Sequence, residues 1–374
     1  MSDQTEDDRF LLSDGTDVRA LPKVSLHDHL DGGLRSGTVI DLAAADGVEL
    51  PETEPDALGA WFAAKADSGS LVDYLKTFDV TLSVMQTREG LIRVAREFVE
   101  DLVADGVVYG EIRWAPEQHL TRGLGLDEAV DAVQEGVEQA TADALAAGRS
   151  IRVGQLVTAM RHADRGLEIA ELAVRHRDHG VVGFDIAGAE AGFPPANHRA
   201  AFDYLAGQFF PVTVHAGEAD GLESIRGALI DGRALRLGHG VRLAEDIRLE
   251  NRDEESDYVS LGALARWVRD RRIPLELSPS SNLQTGAVAA WGEEISDHPF
   301  DLLYQLGFRV TVNTDNRLMS STTLTRELTL LADAFGYALG DLAEFQINAA
   351  EGAFLPVDER DEFVSALAAA YGLD

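Results

Sequence analysis

The chain has 374 residues, 32 Lys and Arg against 65 Asp and Glu, a formal charge of −33 and no cysteine. Such a balance repels phosphate backbones and anionic lipid surfaces, so nucleic acid and membrane are not expected as partners. The absence of Cys excludes disulfide frameworks, Cys-ligated zinc, iron–sulfur clusters and thiol nucleophiles, together with zinc sites built on a Pro-Cys-x-x-Cys run. Hydrophobic content of 45% and charged content of 26% belong to a folded globular chain long enough for a large core. No segment is apolar over the length needed to span a bilayer, and Met1 to Asp8 is acidic where a secretory leader is basic and then apolar. A cytoplasmic location is expected, with the acidic residues spread as a solvated surface.

After an acidic N-terminal tail over residues 1–20, strand-like runs alternate with helix-like runs. Eight runs rich in Val, Ile and Leu end in polar residues: Val24 to Leu30, Val107 to Trp114, Ile151 to Met160, Val181 to Gly188, Pro211 to Gly217, Arg236 to Gly240, Pro274 to Pro279 and Phe308 to Asp315. Between them, Leu91, Val94, Ala95, Phe98, Val99 and Leu102 repeat at helical spacing. Asp127 is placed to cap a helix with Val130, Val133, Val137, Ala140 and Ala144 on one face, ended by Gly148. Alternation of this kind implies parallel strands and right-handed crossovers, and eight units predict an α/β fold, a closed (β/α)8 TIM barrel forming a single domain over 1–374. The open doubly wound alternative lacks its glycine fingerprint after the first strand. Ser36 to Met85 is too long for a plain loop and holds helical stretches at Leu58 to Ala66 and Leu71 to Val84. This helical insert belongs at the C-terminal mouth of the barrel, where it is expected to act as a lid.

In such a barrel, functional groups stand at the C-terminal ends of the strands. The first strand ends His27-Asp28-His29, and residues i and i+2 share a face, so both imidazoles can reach one metal ion while Asp28 faces away. The fifth ends His215-Ala-Gly-Glu218, the sixth Gly238-His239-Gly240, and the eighth Asn313-Thr-Asp315-Asn316. His27, His29, His215 and Asp315 suit a zinc-like ion with an open position for water, whose pKa such an ion lowers to roughly 7. Glu218 and His239 remain for proton donation and for holding the water. The other histidines, His119, His162, His176, His179, His198 and His298, lie in loops or helices and are assigned structural roles.

His27-x-His29-x-Asp31-Gly32, Asp185-Ile-Ala-Gly188-x-Glu190, His215-Ala-Gly-Glu218, Leu237-Gly-His239-Gly240 and Asn313-Thr-Asp315 resemble, in order, the motifs of the adenosine/adenine deaminase family of the amidohydrolase superfamily. The resemblance implies one Zn2+ per subunit on His27, His29, His215 and Asp315, and hydroxide addition at purine C6 with loss of ammonia. It implies that Glu218 protonates N1 and that His239 holds and helps deprotonate the water. Gly188 would meet N3 through its N–H, while Asp31 and His29 would meet the ribose. Two positions depart from the family pattern: Ala189 stands where an acidic residue is frequent, and Asn316 replaces a second aspartate that bonds N7. N7 accepts, and an Asn amide always has an N–H to offer, so this contact survives the change. No Lys ends the fourth strand, which favours one metal over a lysine-bridged pair. The expected activity is deamination of adenosine and 2′-deoxyadenosine, with a purine nucleoside as the small-molecule partner. Alternatives are another aminopurine substrate, such as adenine or an aminofutalosine-like nucleoside, and a catalytically silent purine-binding protein.

Overall fold

The computed structural model describes residues 10–253 and 256–373. Its strands are β1 (Lys23–His29), β2 (Val107–Trp114), β3 (Arg152–Met160), β4 (Val181–Ala187), β5 (Thr213–Ala216), β6 (Arg236–His239), β7 (Ile247–Asp253), β8 (Ser256–Leu261), β9 (Leu275–Leu277) and β10 (Val310–Val312). Each of the eight expected runs holds one strand of the barrel. Two four-stranded parallel sheets, β1-β2-β3-β4 and β10-β9-β6-β5, supply the wall. Single parallel bridges close it, Phe184 to Val212 on one side and Asp28 to Asp315 on the other. At the second seam the N–H of His29 donates to the Asp315 carbonyl at 2.8 Å, and the N–H of Asp315 donates to the His27 carbonyl at 2.9 Å. Backbone pairing alone therefore brings the two ends of the expected ligand set together.

The antiparallel hairpin β7-β8 follows the sixth barrel strand and was not anticipated. A charged middle, Glu250 to Asp257, separates two apolar alternations, Ile247/Leu249 and Val259/Leu261, each too short to read as a strand. Residues 1–9 lie outside the described residues, but from Phe10 the chain packs on the barrel: Leu11 bridges to Asp17, and Leu12 and Val18 are buried.

The insert after β1 folds as α1 (Ser36–Asp46), α2 (Pro55–Ala66), α3 (Leu71–Tyr74) and α4 (Phe78–Val84), with a 3-10 turn, Leu75–Thr77, between the last two. The stretch expected as one helix is thus broken. α5 (Arg88–Ala104) buries Leu91, Val94, Ala95, Phe98, Val99 and Leu102 as their spacing requires, each large side chain contributing about 1.5–3 kcal/mol relative to exposure. α6 (Leu126–Ala146) starts one residue before Asp127. Its cap is Gly125, whose N–H donates to the Glu128 side chain at 2.8 Å, and Asp127 instead pairs with Arg175 and His176. Among the described residues, no helix is long and apolar enough to cross a membrane.

The charge of −33 has a direct consequence for stability, since like charges on one compact surface repel. Raising KCl from about 0.1 to about 1 M shortens the screening length from about 10 to about 3 Å. The Tm in scanning calorimetry is expected to rise across that range; a flat or falling Tm would show that surface repulsion does not limit the fold.

Candidate active site

Strand alternation on β1 turns His27 and His29 into the barrel and Asp28 outward, where its carboxylate lies 2.8 Å from Arg317 Nε. Inside, His27 Nε2 is 3.2 Å and His29 Nε2 3.3 Å from Asp315 Oδ1, and His29 Nε2 is 3.2 Å from His215 Nε2. Donor atoms on a tetrahedral ion at about 2.0–2.1 Å stand roughly 3.3 Å apart, so these spacings fit one shared cation. His27 Nε2 is buried without a hydrogen-bond partner, an arrangement that costs about 1–3 kcal/mol unless something binds it. His27, His215, His239 and Asp315 also offer ligand atoms within 4.8 Å of one another. Five groups thus surround one point, and the fifth is a histidine that the sequence placed there as a non-ligand.

Two carboxylates orient the ligands from behind. His27 Nδ1 is 3.0 Å from Glu276 Oε2, and His215 Nδ1 is 2.8 Å from Asp185 Oδ2, which leaves each Nε2 free for a metal. Arg113 joins both, 2.6 Å from Glu276 and 3.0 Å from Asp185. Burial alone would raise the Glu276 pKa, but Arg113, Arg236 and His27 outweigh it and hold the carboxyl well below its usual range. Sequence reading missed Glu276, although a lone Glu inside the apolar run Pro274-Leu-Glu-Leu was a signal. It named Asp185 only as part of a motif.

Asp315 and His239 have φ of +58° and +63°, a region that non-glycine residues rarely occupy. The seam bonds pin the Asp315 backbone, and Ser281 Oγ donates to its Oδ2 at 2.6 Å. Glu218 follows β5 on a loop gathered by Glu190, whose carboxylate accepts the N–H groups of Gly217, Glu218, Ala219 and Asp220 at 2.6–3.0 Å. Burial first, then the charges of Asp315 and Glu190, pushes the Glu218 pKa well above its usual value. Glu218 Oε1 has no partner in the protein. Burial, reinforced by His27, pushes His239 well down, so its ring is neutral.

These groups open into a cavity of about 360 Å³ at the barrel mouth. His29, Asp31, Gly188 and Asn316, the expected substrate contacts, all line it, as do Glu218 and His239. Leu71, Tyr74, Leu75, Phe78 and Leu82 of the insert cover it from above. Gly188 has φ +99°, a conformation that favours glycine, and a Cβ there would stand 3.0 Å from the flexible end of Met160. A Cβ at Gly32 would overlap the Asn316 amide, so the Asp31-Gly32 pair is what admits that side chain. Burial pushes the Asp31 carboxyl up to about 7. His162, assigned a structural role from sequence, also lines the cavity, because the turn after β3 folds back over Gly188. The remaining five histidines lie outside it.

The adenosine deaminase family model matches residues 22–370. Adenosine deaminase 1 of Streptomyces coelicolor is 58% identical over 344 residues, 92% of this chain and 85% of that protein. Adenosine deaminase of Mycobacteroides abscessus is 56% identical over 344 residues, 92% and 93% of the two chains. Among solved structures, Arabidopsis ADAL complexed with IMP superposes with a TM-score of 0.79 at 25% identity, covering 95% of this chain and 98% of that one.

Proposed function

The chain belongs to the adenosine deaminase family and is an enzyme that hydrolytically deaminates adenosine, and from that premise we propose how its residues divide the work. His27, His29, His215 and Asp315 hold one Zn2+. When bound, the ion supplies the Lewis acidity that makes water nucleophilic near neutral pH. The orphaned Nε2 of His27, with the 3.2–3.3 Å spacings that join His27, His29, His215 and Asp315, supports this set.

Glu218, whose surroundings oppose its ionisation, donates a proton to N1 of the purine. Protonation there withdraws electron density from C6, which water attacks; the Glu218 carboxylate recovers a proton from that water, and the adduct hydroxyl passes its proton to the amino group, which leaves as ammonia with inosine behind. His239 orients the attacking water. Gly188 offers its N–H to N3, Asn316 an amide N–H to N7, and Asp31 with His29 meets the ribose. The walls from the insert exclude water from the ring, so the 36–85 segment works as a lid. The apolar core runs without a break from Leu12 to Tyr371, which supports one domain over 1–374, and we take the enzyme to be cytoplasmic with a purine nucleoside as its partner.

The observation that carries this division of roles is a buried carboxyl with one oxygen unpartnered and a convergent donor set facing one nucleoside-sized cavity. Metal analysis of the purified enzyme, coupled to ammonia release from adenosine, 2′-deoxyadenosine, adenine, AMP and aminofutalosine, tests it. One zinc per chain and preference for adenosine and 2′-deoxyadenosine are expected. Groups aimed at ribose would be left unpaired by free adenine, which should be turned over far more slowly. Adenine or aminofutalosine as the preferred substrate would overturn the assigned ribose contacts, and a different resident metal would overturn zinc.

A further inference from the structure

A buried chain of hydrogen bonds reaches His239 from outside the cavity. It starts at the backbone N–H of Phe300, which donates to His298 Nδ1 at 3.0 Å. His298 Nε2 is 3.2 Å from Asn282 Oδ1, and Asn282 Nδ2 is 3.0 Å from His239 Nδ1. At the far end, His239 Nε2 is 3.5 Å from Glu218 Oε2. The three side chains are at most 2% exposed, so no solvent competes for these bonds.

The direction of this chain is determined at its first member. A peptide N–H can only donate, so His298 Nδ1 accepts and carries no proton. The proton of the neutral ring is then on Nε2 and is donated to the Asn282 oxygen. With its oxygen engaged, the Asn282 amide presents its NH2 group to His239, whose Nδ1 accepts in turn. The opposite orientation of the amide would set two donors against each other in a buried site. Burial pushes His298 down to about 3, which removes the doubly protonated ring that could not accept from Phe300.

We propose that Asn282 and His298 are positioning residues that hold His239 as the Nε2–H tautomer, so that His239 acts on the attacking water as a hydrogen-bond donor and not as a base or a metal ligand. A ring nitrogen that carries a proton has no lone pair for a cation, which separates His239 from the four ligands although all five groups converge. The proton that N1 acquires comes from Glu218, the carboxylate so formed recovers a proton from the attacking water, and the hydroxyl of the C6 adduct passes its proton to the departing amino group, so none passes through His239. The inference rests on the roles proposed above for Glu218 and the ligand set.

The test is a multiple-bond 1H–15N NMR spectrum of the zinc-loaded enzyme labelled at histidine, with the His239 signals assigned by their loss in His239→Gln. Protonated Nε2 and bare Nδ1 are expected in the wild type. Asn282→Asp presents acceptors to both neighbours, so the His239 proton is expected to move to Nδ1. Its kcat is expected to fall about 10–100-fold, the size usual for residues that orient a metal site from behind, with KM and zinc content nearly unchanged. An Nδ1–H tautomer in the wild type overturns the proposal, as does an Asn282→Asp enzyme with unchanged tautomer and kcat. If that variant does not fold, the wild-type spectrum still decides. Absence of zinc or of adenosine turnover in the wild type would instead sink the underlying roles, leaving the tautomer separately readable.

Discussion

Glu218→Gln is expected to retain zinc and lose turnover by several orders of magnitude. Burial and the nearby Asp315 and Glu190 charges oppose ionisation of the wild-type carboxyl. An amide of the same size therefore replaces it without adding or stranding a charge, and the Glu190 bonds that shape the loop use backbone N–H groups that the substitution leaves alone. What disappears is the transferable proton: a Gln N–H can donate a hydrogen bond to N1 but cannot protonate it. General acid catalysis contributes about 10²–10⁴-fold, and C6 is a poor electrophile until N1 is protonated, so the loss should lie at or beyond the upper end. Steady-state kinetics with metal analysis on the same sample checks this. Near-normal kcat would remove Glu218 from the proton-donor role.

His215→Ala is expected to lose both metal and activity. The substitution deletes one donor of the set and also removes the partner of Asp185, whose carboxylate stays buried against Arg113. Because a ligand that binds only the folded state raises its stability by mass action, added zinc should raise the Tm of metal-stripped wild type and leave that of the variant nearly unmoved. Calorimetry with and without zinc, beside metal analysis, reads the effect independently of turnover. Full zinc occupancy in His215→Ala would contradict its ligand role.

The strand ends were legible because they depend on short-range pattern. His27 and His29 share a face by the two-residue period of a strand, and the eight apolar runs separated by helical periodicities allow few arrangements other than a parallel barrel. Local reading failed where capping or polarity departed from the usual signal: Gly125 caps α6 with help from Glu128, and the hairpin β7-β8 has apolar alternation only at its short ends, Ile247/Leu249 and Val259/Leu261, around a charged middle. It also stopped short of His162, since whether a turn residue faces a cavity depends on how the turn lies over Gly188.

By itself, the sequence determined the barrel, the strand ends that bring His27, His29, His215, Glu218, His239 and Asp315 to one mouth, and the absence of cysteine chemistry, all of which follow from residue type and neighbouring spacing. Only the tertiary structure decided how those groups are held. Glu276 meets His27 across 249 positions of the chain, Asn282 meets His239 across 43, and Asp315 closes onto β1 from the far end of the barrel. The physical reason is that a ring nitrogen becomes a ligand, a donor or a base according to what its other nitrogen touches, and that partner is chosen by the packing of strands distant in sequence.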